Sequence, residues 1–254
     1  MIFVNSYRSF GLTAFSSVIE PYTPVFSFNA MLENTLTNGQ TVNGANTCNG
    51  HTGTGAVTFN IVGQRKFARL PFSSVSPTKL SVARTATANY ATNGGATSII
   101  ISRISAYDKV FDGFGLQWDA PQFFEYYTNQ GDVDSGGMNC ISFWNDAATY
   151  IEAPRVPNTT IDANLNKFCM WVTRVSGSTM TLYLNNAQVS TNTNSILNYT
   201  INPSGVATTS SLWNDTTVSA NNAINDYIYA AHYDRPLTLT ELTNIFNSVS
   251  MLLG

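Results

Sequence analysis

A chain of 254 residues with 43% hydrophobic and 12% aromatic residues can hold one all-β domain with a substantial core. Only 11% of the residues are charged, the formal net charge is -3, and the 12 basic residues are scattered singly; this excludes an electrostatic footprint for nucleic acid or an anionic membrane. No apolar run is long enough to cross a bilayer as a helix.

The opening, MIFVNSYRSFGLTAF, has neither a charged leading region nor a continuous apolar stretch ending at small residues, so no secretory signal is expected. Glu20-Pro21-Tyr22-Thr23-Pro24 breaks the chain, Val25 to Phe28 reads as an edge strand, and the Gly/Asn/Thr-rich residues 37–55 read as loop. Residues 1–55 are therefore expected to form an irregular N-terminal arm, with docking on a neighbouring subunit favoured over a passive surface loop. Residues 56–254 are expected to form the sandwich domain.

Within that domain, Ala56 to Val62 and Lys66 to Phe72 read as strands, Ser74 to Thr78 as a turn, and Leu80 to Ala88 as another strand. Asn93-Gly94-Gly95 marks a turn before Thr97 to Ile104, where the consecutive β-branched Ile99, Ile100 and Ile101 predict a central strand covered on both faces. Phe111 to Trp118 and Phe123 to Tyr127 form a predicted hairpin. Residues 129–139 form an acidic, Gly-rich loop, and Cys140 to Trp144 and Ala148 to Ile151 are two short strands.

Residues 168–191, FCMWVTRVSGSTMTLYLNNAQVST, predict an antiparallel meander. Phe168, Met170 and Val172 alternate with Cys169, Trp171 and Thr173, Ser176-Gly177-Ser178 turns, Met180, Leu182 and Leu184 share a face, and Asn185-Asn186 turns again. From Asn192 to Ala223 the chain is polar, with apolar pieces at 196–201 and 211–213. Ile224 to His232 is a final strand. Thr238-Leu239-Thr240-Glu241 is a capping box that opens a helix, whose stripe of Leu242, Ile245, Phe246, Val249 and Leu253 must lie on the sandwich.

Three of these stretches carry a resemblance. Trp171-Val172-Thr173 leading to Leu182-Tyr183-Leu184-Asn185-Asn186, the Gly113-Phe114-Gly115-Leu116 strand, and Tyr233-Asp234-Arg235-Pro236-Leu237-Thr238 with Glu241-Leu242 resemble the laminin-G-like, concanavalin A-like jelly-roll family. Asn186 stands where that family usually has Gly, and Asn tolerates the left-handed backbone the turn needs. The resemblance implies an antiparallel β-sandwich jelly roll with a short C-terminal α-helix. It also implies kinship with glycan-active enzymes, so catalytic groups have to be sought.

Glycoside hydrolases of this architecture carry acid and nucleophile on one strand face in a Glu-x-Asp-x-x-Glu pattern, which is absent here. Glu20, Glu33, Glu125, Glu152 and Glu241 stand apart, the last explained as a cap; His51 in its loop and His232 in its strand lack partners for base catalysis. No catalytic residue is expected, and so no enzyme. Asp132 and Asp134, on a Gly-flanked turn, are a weak calcium candidate at the sandwich rim; no other cofactor is indicated. Trp118, Trp144 and Trp213 lie beside turn-forming residues and are candidates for stacking on a sugar, whereas Trp171 reads as packing. Cys48, Cys140 and Cys169 are odd in number and lack metal-type spacing, with Cys140 and Cys169 expected as buried free thiols. The triplets at Asn158, Asn198 and Asn214 match the glycosylation pattern, as expected by chance in a chain in which Asn, Thr and Ser make up roughly a third of the residues.

A neutral polar β surface without export signal or disulfides suits a non-enzymatic virion structural or attachment protein, a bacteriophage head decoration or tail component at the virion surface. Its expected partners are other virion proteins, further copies of itself and a glycan. The alternative is an extracellular carbohydrate-binding lectin module of a microbial surface protein; a glycan-active hydrolase or lyase comes third.

Overall fold

A computed structural model describes residues 22–24, 26–71, 78–83, 94–106, 112–118, 124–128, 137–141, 155–193, 209–214 and 224–254. In chain order the strands are β1 (Phe26–Asn29), β2 (Thr52–Thr54), β3 (Thr58–Val62), β4 (Arg65–Pro71), β5 (Thr78–Ala83), β6 (Gly95–Ala106), β7 (Asp112–Trp118), β8 (Phe124–Thr128), β9 (Gly137–Ile141) and β10 (Arg155–Pro157). After a short helix α1 (Asn158–Asp162) come β11 (Phe168–Ser176), β12 (Thr179–Leu184), β13 (Ala187–Thr193), β14 (Thr209–Asn214) and β15 (Ile224–Tyr233). The terminal helix α2 (Leu239–Val249) follows.

The strands form two antiparallel sheets. The larger runs β13-β12-β11-β6-β15-β4-β3, with β1 added beside β15; the smaller runs β10-β9-β8-β7-β14-β5-β2. This is the antiparallel jelly-roll sandwich with a short C-terminal helix that the sequence predicts. The larger sheet is built around β6, which pairs with β11 over nine positions and with β15 over most of its length. Ile100 points between the sheets and Ile99 and Ile101 point to the other side, and all three are fully buried. The triple Ile run is thus a strand with an apolar layer on each face.

The second apolar layer is α2. Thr238 and Glu241 close the predicted capping box, and Leu242, Ile245 and Val249 are buried against the outer face of the larger sheet. Each such side chain contributes about 1.5–3 kcal/mol by leaving water. The helix is shorter than its apolar stripe suggests: it ends at Val249 and a 3-10 turn over Ser250–Leu252 follows, so that Leu252 is buried and Leu253 half-buried.

The meander folds as read. Asn185 and Asn186 both take positive φ, 48° and 67°, between β12 and β13. Its strands alternate between the two apolar layers, Cys169, Trp171 and Val175 inward, Phe168, Met170 and Val172 outward. Gly95 starts β6 at φ 145°, where a Cβ would come within 2.1 Å of the Val175 carbonyl oxygen; no side chain fits at that pairing.

The division at 55/56 does not coincide with an edge of the sandwich. β4 pairs only with the first part of β15, Ile224 to Tyr227, and β1 occupies the same edge further on, from Tyr229 to His232. β2 likewise pairs with β5 in the smaller sheet. Residues 26–54 therefore complete both sheets within a single chain, and Phe26, Phe28, Val42 and Cys48 belong to the inter-sheet core. The acidic loop also ends sooner than expected, because Gly137 to Asn139 already pair with β8 or β10 as part of β9. The predicted strands at 148–151 and the apolar piece at 196–201 lie outside the described residues.

Candidate functional site

Of the residues singled out from sequence, Trp118 and Trp213 fall on the neighbouring strands β7 and β14, where Trp118 pairs with Ser210 and Trp213 with Gly115. Asp132, Asp134 and Trp144 lie outside the described residues. Among the described residues no group of three or more His, Cys, Asp or Glu side chains is placed to hold a metal ion. His232 is fully buried, its Nδ1 2.8 Å from the Ser98 hydroxyl. Cys169 is buried, and burial raises its thiol above the ordinary range.

His51, read as a loop residue, is also buried. Its ring meets those of Phe26 and Phe28 edge-on at centroid distances of 5.6 and 5.1 Å, Nδ1 lies 2.9 Å from the Asn49 carbonyl, and Nε2 has no partner among the described residues. Burial lowers its pKa, opposed in part by the backbone contacts at Asn49 and Cys48. The residue that organises this loop is Glu33. Its Oε1 accepts from the Thr35 amide and hydroxyl, both at 2.6 Å, and from the Leu36 amide, while Oε2 accepts from the Asn49 amide at 2.7 Å. Burial alone would raise this carboxyl, but the hydrogen bonds outweigh it and hold the pKa at about 2. The same burial, with Glu33 nearby, pushes the Cys48 thiol up to about 12, so it stays protonated and unreactive at neutral pH.

A second charged cluster lies on the outer face of the larger sheet. Asp226 of β15 is in register with Arg69 of β4 on one side and Arg103 of β6 on the other. Its carboxylate is fully buried. Oδ1 accepts from Arg69 Nε at 2.7 Å, and Oδ2 from Arg69 Nη2 at 3.0 Å, Arg103 Nε at 2.9 Å and Arg103 Nη2 at 2.5 Å. The guanidinium carbons of Arg69 and Arg103 stand 5.7 and 5.2 Å from the Phe67 ring centre, and Arg103 is 4.8 Å from that of Phe168. Hydrogen bonding to Asp226, against burial, raises the Arg69 pKa further, so this cation is permanent. Arg65 flanks the group, 5.5 Å over Phe168 and bonded through Nε and Nη2 to the Leu252 and Leu253 carbonyls.

Sequence reasoning missed this cluster, although a signal was present. Phe67-Ala68-Arg69-Leu70, Ile101-Ser102-Arg103-Ile104 and Asn225-Asp226-Tyr227-Ile228 each place one charge inside a largely apolar strand, where it must find a partner or stay unburied.

The fold is an antiparallel β-sandwich jelly roll closed by a short C-terminal helix. The solved structures similar to it include the binding domain of botulinum neurotoxin serotype D/C, at a TM-score of 0.60 and 12% identity, covering 89% of this chain and 52% of that one. The binding domain of botulinum neurotoxin DC in complex with SialylT matches at 0.56 and 13%, covering 78% and 46%. A structure described under the cell entry of botulinum neurotoxin type C, dependent upon interaction with two ganglioside molecules, matches at 0.57 and 12%, again covering 78% and 46%. The chain thus spans about half the length of these neighbours, two of which are described as binding domains. No protein-family model matches the chain, and no curated protein does.

Proposed function

We propose that this protein is a non-enzymatic carbohydrate-binding module. The observation that carries the reading is the likeness of the sandwich to botulinum neurotoxin structures, two of them described with SialylT or with ganglioside molecules. The Asn-, Thr- and Ser-rich composition supports it, since neutral hydroxyl and amide groups are what sugar hydroxyls bond to. Trp118, Trp144 and Trp213 are the stacking residues of this reading, and calcium at Asp132 and Asp134 is its one cofactor. Calorimetric titration tests the metal: no heat at millimolar calcium removes it.

A glycan array probed with the full chain tests the main reading. Binding to a defined set of glycans is expected, lost on Trp→Ala at one of the three tryptophans, with the bound glycans recovered uncleaved. An array without hits overturns the reading, and shortened or unsaturated products overturn its non-enzymatic part.

The virion reading, with other virion proteins and further copies of the chain as partners, is favoured by one structural observation. Ile61 and Val62, adjacent on β3, are both exposed, Val62 at 58%, an apolar step on the surface that another chain can cover. Light scattering on the purified protein tests it: a defined oligomer supports it and a monomer at high concentration counts against it.

A further inference from the structure

The cluster on the outer face of the larger sheet holds more positive charge than its own stability requires. A buried carboxylate is neutralised by one arginine; Asp226 is gripped by two, and Arg65 stands against the Phe168 ring that Arg103 also covers. Two of the 12 basic residues thus share one carboxylate, with a third close by. The geometry decides which way the excess points. Both Arg69 and Arg103 offer Asp226 their Nε and Nη2 edge, which turns Nη1 away from it, and neither Nη1 has an acceptor among the described residues. The side chains stay 36% and 23% exposed although Asp226 between them is fully buried. Two guanidiniums are therefore fixed in register, their rotamers held by a carboxylate below and by Phe67 and Phe168 alongside, partly exposed and with an Nη1 each that no described residue takes up. Ordering the donors before binding removes much of the entropic cost of a polar contact.

We propose that Arg69 and Arg103 form a subsite for the anionic group of an acidic saccharide, a carboxylate or a sulfate ester. This rests on the carbohydrate-binding reading and names its ligand class. Arginine suits such groups because its fork matches two oxygens at once. A nucleic acid is disfavoured, since tracking a phosphate backbone needs an extended run of cations and this acidic chain has one compact cluster. Phe67 and Phe168 are buried and offer no stacking surface, so they position the guanidiniums and do not touch the sugar.

The test is titration of the full chain with sialyllactose, lactose, 6-sulfolactose and sodium sulfate, read by calorimetry and by the arginine Nε-Hε resonances. Sialyllactose and 6-sulfolactose are expected to bind about tenfold or more tighter than lactose, to weaken as salt rises, and to shift the Arg69 and Arg103 resonances. The double variant Arg69→Gln with Arg103→Gln should bring the acidic sugars down to the level of lactose, whereas Lys79→Gln on the opposite sheet leaves them unchanged. Should the double variant fail to fold, Arg103→Lys, which keeps the charge and loses the fork, and the wild-type resonances decide. Equal affinity for lactose and sialyllactose with unmoved arginine resonances overturns the subsite and leaves the carbohydrate reading standing. Binding of sulfate alone overturns it as an adventitious ion only. Silence towards every glycan on an array overturns both.

Discussion

Two segments close on the larger sheet from opposite ends of the chain, and each is tied by a carboxylate that backbone amides and side chains hold at a pKa of about 2. In the C-terminal segment it is Glu241, gripped by Arg235 at 2.8 and 3.1 Å and by the Thr238 amide at 2.6 Å. In the N-terminal segment it is Glu33, which collects Thr35, Leu36 and, 16 residues further on, Asn49. The devices are alike in chemistry and different in reach. Glu241 closes a local motif and serves one helix end, whereas Glu33 staples a whole loop, and through Asn49 positions the turn that carries Cys48 and His51. Losing the first should loosen a cap; losing the second should release a segment.

The comparison breaks most sharply at the apolar anchors. Phe28→Ala empties a fully buried site between the sheets and should cost about 4 kcal/mol, against about 3 kcal/mol for Ile245→Ala under α2, measured by denaturant unfolding. If the N-terminal segment is instead an arm whose order depends on a neighbour, the Phe28 variant will unfold like the wild type. Next come the carboxylates. Glu33→Gln leaves buried amide and hydroxyl donors facing a neutral group and should cost about 2–3 kcal/mol. Thr238→Ala removes one cap bond while Arg235 keeps Glu241 in place, and should cost about 1 kcal/mol. Equal costs for the two would mean that Glu33 serves only its own turn.

The same difference in reach explains what could be read in advance. Thr238 with Glu241, Asn185-Asn186 and the run Ile99 to Ile101 are local patterns, each tied to one backbone geometry, and each folds as expected. Glu33 with Asn49, and Arg69 with Asp226 and Arg103, are partners only because distant strands come into register, 157 and 123 residues apart for the latter pairs. In sequence Arg69, Arg103 and Asp226 are each the one charge of a largely apolar stretch, Glu33 and Asn49 are polar residues in a polar segment, and nothing local says which partner each takes. The Gly/Asn/Thr-rich stretch 37–55 misleads for a related reason. Its polar residues turn the chain, but Val42, Cys48 and His51 are the ones that bury, too few and too unevenly spaced to show a period. The tryptophan and aspartate candidates are a different case: Asp132, Asp134 and Trp144 lie outside the described residues.

The smallest effect is also the most selective, because pH separates the two segments. Glu33 and Glu241 both have folded pKa values near 2 against an ordinary 4.5. Their contributions are complete above 4.5 and are lost together as pH falls from there towards 2. His51 works in an earlier window and on one segment alone. Its folded pKa is depressed by burial, so the unfolded chain takes up a proton first, and stability is lost as pH falls below the ordinary 6.5. The groups around it reinforce this selectivity, since Phe26 and Phe28 cannot solvate an imidazolium, Nε2 has no acceptor among the described residues, and the Cys48 thiol stays neutral. Between pH 6.5 and 4.5 the Cys48 and His51 amides, which bond to each other's carbonyls, should therefore lose protection relative to their chemical exchange rate, while the Leu242 amide in α2 keeps its own. His51→Phe, which matches the ring and cannot take up a proton, should abolish the difference. Parallel loss at both segments would show that the two closures open as one unit.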